Sequence, residues 1–146
     1  MSAPQNFKNH TRWDPPFHFF IAPVLLLNIF AIAWWYGRHF GEHRRIGAWA
    51  VVVSVALLML AFKARDYALK NQNRIICIEE RSRLAATVTA SELIELSSLT
   101  SDQLVGLRFA STAELPELAR RAVREKLTRK QIKESIVSWR ADDDRV

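Results

Sequence analysis

Two histidines and a glutamate form the most recognisable chemical pattern in the sequence. His39, Glu42 and His43 match the H-x-x-E-H spacing, which on a helix puts two imidazoles on one face for zinc and offers a carboxylate as general base. Here glycines flank the pattern and favour a loop, and a long apolar segment separates it by about 30 Å from His10 and His18. Because a third ligand is missing, we predict no metal site.

The rest of the sequence offers little for catalysis. A single cysteine, Cys77, excludes an intramolecular disulfide and a Cys-based zinc site, and its isoleucine neighbours predict a buried thiol that behaves as a small hydrophobe. The sequence contains no Gly-rich phosphate loop, nucleophile elbow or Cys/His pair. We therefore predict that the protein is not an enzyme and has no catalytic, cofactor-binding or metal-binding residues, and we infer no small-molecule substrate.

Two apolar segments dominate the N-terminal half. Residues 17–36 contain no Asp, Glu, Lys or Arg, and as a helix they are about 30 Å long, which matches the hydrocarbon core of a bilayer. Residues 46–63 form a shorter second segment, and residues 37–45 connect the two. Pro23 lacks the N–H that would bond to the carbonyl of Phe19, which predicts a kink. We predict a hairpin of two transmembrane helices.

Small and polar side chains indicate how the two spans pack. Gly47, Ala50, Ser54 and Ala61 recur on one face of the second span, where another helix can approach closely. Asn28 lies at matching depth in the first span, within reach of Ser54. A polar residue in a span suggests a function by default. We interpret this pair as helix packing; the alternative is that Asn28 lines a pore in a small oligomeric transporter or channel.

The distribution of positive charge favours a cytoplasmic location for both termini. Six Lys or Arg lie before the first span or soon after the second, compared with three in the connecting loop. Most of the net charge of +6 belongs to residues 1–63, at +4, where basic side chains meet anionic lipid headgroups. A cleaved signal peptide is disfavoured because a second span follows so soon. We predict a multi-pass protein of the cell membrane.

The segment after the second span predicts a charged, helical tail. Residues 64–86 contain neither Gly nor Pro and continue the span as a helical stalk, supported by a pair four residues apart, Glu79 and Arg83. Residues 87–146 contain four Ser/Thr-x-x-Glu/Gln capping boxes: Thr89 with Glu92, Thr100 with Gln103, Ser111 with Glu114, and Thr128 with Gln131. Each box predicts a helix start, and together they predict a small helical cluster.

Two amphipathic helices are expected in this cluster. One covers residues 112–126, and the other covers residues 129–140 with Ile132, Ile136 and Trp139 as one apolar stripe. A core of some fifty residues is marginal by itself. We therefore expect it to pack against the stalk or against a second copy of the chain.

Polar residues outside the helices suggest further contacts. Residues 1–16 form a collar before the first span. We assign its polar and aromatic character to Asn6, His10, Arg12, Trp13, Asp14, Pro15 and Pro16, together with His18. We favour docking of the collar onto the stalk over binding of lipid headgroups. Arg108 is expected to neutralise a carboxylate of the cluster, and residues 142–146 are expected to be a solvated end.

The region of residues 120–133 superficially resembles a helix-turn-helix. Glu117, Glu125 and Glu134 interrupt its basic surface, and no Arg-rich arm follows. We therefore expect no nucleic-acid partner and keep membrane-tethered nucleic-acid binding as a second alternative.

Four motifs carry a resemblance to a known family. They are QNFKNHTRWDPPFHFFIAP (5–23), ALKNQNRIICIEERSR (68–83), QLVGLRFASTAELPELARRA (103–122) and KQIKESIVSWRADDDRV (130–146). Together they resemble a family of small bacterial membrane proteins known only as a domain of unknown function. The resemblance spans nearly the whole chain except the loop and the second span. It implies a bacterial inner-membrane protein and brings no activity, cofactor or substrate.

These observations predict one fold class and one favoured function. The fold is all-α, with a transmembrane hairpin that continues into a helical stalk and a small cytoplasmic cluster. The favoured function is a membrane-anchored interaction or scaffold module. Its partners are the lipid bilayer and, through the tail, another protein or a second copy of the chain.

Overall fold

The computed structural model describes residues 5–7, 9, 13–41 and 43–142. The α-helices within these ranges are α1 (Ala22–Arg38), α2 (Arg44–Thr87), α3 (Ala90–Glu95), α4 (Ser101–Leu107), α5 (Leu115–Arg124) and α6 (Arg129–Ser135), with a π-helical turn at Phe17–Ile21 and a 3-10 turn at Leu96–Ser98. The β pairing in this part of the chain is an isolated antiparallel bridge between Ala110 and Trp139. The predicted all-α fold class is confirmed.

The chain divides into two compact units. The hairpin unit is Trp13–Leu69, and the tail unit combines the described residues of Met1–Arg12 with those of Lys70–Arg145. Helix α2 contributes residues 44–69 to the hairpin unit and residues 70–87 to the tail unit. The helix therefore continues without interruption beyond the second apolar segment, as the absence of Gly and Pro predicts.

Two helical segments are long and apolar enough to span a membrane. They are Phe17–Arg38, with 22 residues, and Arg44–Thr87, with 44 residues. Only 6% and 11% of their most apolar stretches are buried. A helix in the core of a soluble protein would instead bury most of its apolar surface. The length, composition and exposure of both segments therefore suit a lipid environment.

The first apolar segment begins with a π-helical turn before Pro23. The N–H of Ala22 donates to the carbonyl of Phe17, five residues earlier, and Pro23 lies in the first turn of α1. A proline ring inside a regular helix clashes with the carbonyl four residues earlier and leaves that carbonyl without a donor. A π turn changes the local bonding register and takes up this mismatch. Pro23 thus predicts where the helix is irregular, and the structure shows that the irregularity is a π-helical turn.

The packing of the hairpin depends on a close approach at Gly47. A Cβ atom added at Gly47 would overlap Cδ2 of Tyr36, so the ring of Tyr36 occupies the space that a larger residue would need. Gly47 and Ser54 are buried, and Ala50 and Ala61 are partly buried. The predicted small-residue face of the second span is therefore the face that meets the first helix.

Three of the four predicted capping boxes form in the tail unit. Thr89, Thr100 and Thr128 each accept a hydrogen bond from the backbone N–H three residues later, and the Glu or Gln there accepts one in return. These reciprocal bonds satisfy N–H groups that otherwise lack partners at the helix starts. The fourth box, Ser111 with Glu114, was wrong as a helix start.

Helix α5 begins three residues later than predicted. Its first residue is Leu115, with Pro116 in the first turn, where a proline costs no helical hydrogen bond. The carboxylate of Glu114 points elsewhere and accepts the N–H groups of Val137 and Ser138, at 3.0 and 3.1 Å. The N–H of Glu114 still donates to Oγ of Ser111 at 3.3 Å, but a contact distant in sequence displaces the return bond from the Glu114 carboxylate to the Ser111 N–H.

Helix α6 ends at Ser135, so the prediction of a helix to residue 140 was wrong. Ile136 is extended, with φ −70° and ψ 124°, and the following residues pair with the turn after α4. Ser111 N donates to Ser138 O at 3.0 Å, and Arg140 N donates to Phe109 O at 2.7 Å. These bonds, with those to Glu114, satisfy the N–H groups of Val137, Ser138 and Arg140 and the carbonyl of Ser138 without a helix.

The core of the tail unit includes the end of α2. Leu84 belongs to one cluster of buried side chains with residues of α4, α5 and α6, and Leu93 of α3 and Cys77 pack partly buried against it. Gly106 brings α4 and α6 close together, because a Cβ atom there would lie 3.2 Å from Cγ2 of Ile132. The expected packing of the small cluster against the stalk is confirmed.

Candidate interaction surface

The histidine pattern at the loop forms an aromatic stack. The rings of His39 and His43 are both stacked on Trp35, with centroid distances of 4.9 and 5.7 Å, and Nδ1 of His39 lies 2.9 Å from the Trp35 carbonyl. Glu42 lies outside the described residues. No group of three His, Cys, Asp or Glu suited to a metal occurs among residues 5–7, 9, 13–41 and 43–142. In this part of the chain the geometry is that of ring stacking.

The polar pair of the two apolar helices is hydrogen-bonded as predicted. Nδ2 of Asn28 donates to Oγ of Ser54 at 3.0 Å, and that hydroxyl donates to the carbonyl of Ala50 at 2.8 Å. Ser54 is only 2% exposed. The amide of Asn28 is thus used in joining the two helices, which is a packing role.

The collar is held to α2 by an ion pair. Arg65 Nη1 lies 2.5 Å from Oδ2 of Asp14, and the Arg65 guanidinium lies over the ring of Phe17 at 4.8 Å. Phe17 also meets Phe62 edge-on at 5.4 Å. The contact of Asp14 with the helix after the second apolar segment agrees with the favoured docking of the collar; His10 and Arg12 lie outside the described residues. An apolar groove of about 330 Å³ runs beside this pair.

A buried carboxylate organises the tail unit around α2. Glu80 is 2% exposed, and both of its oxygens accept from Nη1 of Arg83, at 2.8 and 2.6 Å. Arg83 also donates through Nη2 to the carbonyl of Ala110 at 3.0 Å, and Arg140 lies 3.7 Å from Glu80. The predicted pairing of Arg83 with Glu79 was wrong, because Arg83 turns inward to the buried Glu80 and to the turn after α4.

The C-terminal segment is fixed by a second ion pair. Nε of Arg108 lies 3.0 Å from Oδ2 of Asp142, which confirms the expected neutralisation of a tail carboxylate. The Gln5 side chain makes two hydrogen bonds with the backbone of Asp142. Its Oε1 accepts from the Asp142 N–H at 3.0 Å, and its Nε2 donates to the Asp142 carbonyl at 3.3 Å. Asp142 is therefore a half-buried structural residue, and its interpretation as part of a solvated end was wrong. Residues 143–146 lie outside the described part of the chain.

Two buried polar side chains of the tail were missed as tertiary contacts. Gln103 closes its capping box and also donates through Nε2 to the carbonyls of Ala122 and Leu127, at 3.0 and 3.1 Å. Lys133 is buried, with Nζ 5.0 Å from the centre of the Phe109 ring. The capping box predicts the bond of Gln103 at the start of α4. Nothing local in the sequence predicts its second set of partners, the carbonyls at and after the end of α5.

The basic surface of α5 is largely neutralised. Arg120 pairs with Glu92 at 2.6 Å, and Arg121 pairs with Glu125 at 3.1 Å. Hydrogen bonds from Thr89 are the main cause that lowers the pKa of Glu92, with a smaller effect of the Arg120 charge. The hydrogen bond from Arg121 likewise lowers the pKa of Glu125. Guanidinium groups engaged in this way present little unpaired charge to a phosphate backbone.

The stalk part of α2 has one face that the tail core does not cover. Ile76, Glu80 and Leu84 are buried, at 7%, 2% and 1% exposure, whereas Ile75 and Ile78 are 55% and 70% exposed. Large apolar side chains exposed beyond a predicted span are candidates for a protein contact.

Comparison with known proteins gives a family without an assigned activity. No curated protein and no solved structure matches the chain. One family model, described as a family of unknown function (DUF6526), matches residues 1–146. Because that match covers the chain from end to end, the protein belongs to this family of unknown function.

Proposed function

We propose that the protein is a non-enzymatic, membrane-anchored interaction module. The hairpin unit anchors the chain in the bilayer, and the tail unit presents a folded helical surface to another protein or to a second copy. The single observation that carries the proposal is that α2, beyond the apolar segment, has one buried face and one exposed apolar face. One face completes the core of the tail unit, and the other leaves Ile75 and Ile78 exposed.

The proposed location is the bacterial inner membrane, with both termini in the cytoplasm. Two apolar helices with little buried surface support the membrane anchor. The excess of Lys and Arg around the outer ends of the spans, compared with the loop, supports this orientation. The bacterial inner membrane itself rests on the resemblance of the four motifs.

Two alternative functions are less well supported by the contacts. The amide of Asn28 bonds to Ser54 inside the hairpin, which weighs against Asn28 as a pore-lining residue of a transporter subunit. The pairing of Arg120 and Arg121 with carboxylates weighs against a tethered nucleic-acid-binding surface. An interaction surface needs neither a pore nor free positive charge.

The proposal is tested by photo-crosslinking in living cells with the full-length chain. A photoreactive amino acid replaces Ile78 in one variant and Lys130 in another; both side chains are exposed, but Lys130 lies on the polar surface of α6. We expect defined protein adducts at position 78 and only background at position 130. Background at both positions would contradict an interaction module that uses this face.

A further inference from the structure

The exposed face of α2 carries a regularly spaced seam of residues, of which Ile75, Ile78 and Ala85 are apolar. We define the stalk seam as Asn71, Ile75, Ile78, Ser82 and Ala85; all five residues are exposed. Their separations of four, three, four and three residues are those of the core positions of a coiled coil, with Ile75 and Ser82 at a and the other three at d. The seam covers two heptads.

The seam lies opposite the face that α2 gives to its own tail. A helix turns by about 100° per residue, so the five seam residues lie within about 40° of one line along the helix. Ile76, Glu80 and Leu84, which are buried in the tail unit, lie on the opposite side. The seam is therefore available for another helix without any rearrangement of the tail core.

The charges beside the seam identify the occupant. Arg74 and Arg81 occupy g positions, and Glu79 occupies an e position. In a parallel two-stranded coiled coil, a g side chain lies beside the e side chain five residues further along the partner helix. Arg74 of one copy then faces Glu79 of the other, and the two-fold symmetry makes this pair twice.

The two charged groups are available for this contact. Arg74 and Glu79 are both exposed, and in the described part of the chain neither has an ion-pair partner. An antiparallel arrangement would instead bring g positions together and place Arg74 near Arg81 of the other copy. The charge pattern thus favours a parallel pair of identical helices.

We propose that the stalk seam is a homodimer interface in which two α2 helices pack in parallel. This inference rests on the proposed function and names its partner as a second copy. Two copies inserted in one membrane with the same topology emerge in the same direction, which imposes the parallel arrangement. Confinement in the membrane also raises their effective concentration, so a seam of only two heptads suffices. Ser82 and Ala85 are small and allow close approach at the far end.

Disulfide crosslinking in native membranes tests the interface. The full-length chain carries Cys77→Ser, so that only the introduced thiol reacts, together with Ile78→Cys in the seam. Ile94→Cys on α3 is the matched control, because Ile94 is a similarly exposed isoleucine, at 74% against 70%. On mild oxidation we expect a linked dimer at position 78 several-fold more abundant than at position 94. Equal amounts at both positions would overturn the proposal.

Charge reversal tests the pairing itself. In the Ile78→Cys chain, Arg74→Glu alone and Glu79→Arg alone each place like charges across the interface and lower the dimer yield. The double variant restores opposite charges and the yield. No recovery in the double variant would overturn the parallel pairing, even if the single changes lower the yield.

The two proposals fail in distinguishable ways. A photo-adduct of position 78 with a different protein, without a disulfide dimer, overturns the second copy as partner and leaves the interaction module standing. If position 78 gives neither a disulfide dimer nor any photo-adduct, both proposals are overturned.

Discussion

Replacing Arg83 by Met tests the role of the buried carboxylate of the tail unit. The change removes two charge-assisted hydrogen bonds from Glu80, which is 2% exposed and cannot be rehydrated without opening the fold. Removing one partner of a buried ion pair costs about 3–5 kcal/mol. We expect the lower end, about 3 kcal/mol, because Arg83 is 17% exposed and Arg140 remains 3.7 Å from Glu80.

A double variant separates the charge effect from the loss of packing. In Glu80→Leu with Arg83→Met, no buried charge is left unpaired. The remaining loss is the hydrogen bond from Arg83 to the carbonyl of Ala110 and a longer one to the carbonyl of Arg108, together about 1 kcal/mol. The double variant should therefore be more stable than the single Arg83→Met variant. Arg81→Met is the matched control, because Arg81 is exposed and donates one hydrogen bond to Leu99.

Hydrogen exchange of the full-length protein measures these differences within the tail. Peptides from residues 100–142 should lose about a hundredfold in protection in Arg83→Met, which corresponds to about 3 kcal/mol. The double variant and Arg81→Met should stay within about tenfold of the unchanged protein. If Arg83→Met were as well protected as the double variant, Glu80 would not need its partner and the reasoning would be refuted.

Three further changes follow from individual contacts. Gly47→Ala should destabilise the hairpin by about 1–3 kcal/mol, because its Cβ would overlap the ring of Tyr36. Thermal unfolding in lipid nanodiscs measures this loss, with Gly37→Ala as the control because the space around Gly37 is open. Glu114→Ala should remove both acceptors of the C-terminal segment and cost about 1 kcal/mol, seen as faster amide exchange at residues 137–138 that Glu114→Gln partly reverses. The folded-state pKa of Glu92 lies below its ordinary value of 4.5. The ionised carboxylate therefore stabilises α3 fully above pH 4.5, and this contribution is lost as the pH falls through the lowered pKa. In Thr89→Val an NMR titration should show the pKa of Glu92 rise towards 4.5, and an unchanged pKa would contradict the capping assignment.

Local patterns predict much of the fold. The apolar segments, the three capping boxes and the small-residue face each depend on spacing within one helix, and each is present in the structure. The bond between Asn28 and Ser54 was also predictable, because a short loop forces the two apolar helices to lie side by side, with the two residues near their middles.

The errors arise where distant residues compete with local ones. Glu79 and Arg83 have the spacing of a helical pair, but Arg83 reaches the buried Glu80 and the carbonyl of Ala110 instead. Residues 136–140 continue an apolar stripe that reads as helix, yet their backbone is bonded to Glu114 and to the turn after α4. Spacing within a segment does not contain these partners, so sequence alone cannot predict them.

The stalk seam shows the reverse case, in which the structure gives meaning to a pattern already present. The isoleucines around Cys77 predict a buried environment, and Ile76 is indeed buried, but Ile75 and Ile78 are exposed. Once the tail core is known to cover one side of α2, the heptad spacing of the exposed residues on the other side can be recognised. The core side had to be identified before the interaction side was recognisable.

The measurement that tests the central claim most directly is the topology of the chain in the membrane. Single cysteines replace Gly41 in the loop and Val137 in the tail of the full-length Cys77→Ser chain; Gly41 has open space around it and Val137 is 89% exposed. In intact bacterial cells, an impermeant maleimide should label position 41 at once and position 137 only after lysis, and the protein should stay in the membrane after alkaline carbonate extraction. Release by carbonate, or labelling of position 137 in intact cells, would contradict a cytoplasmic tail anchored by a transmembrane hairpin.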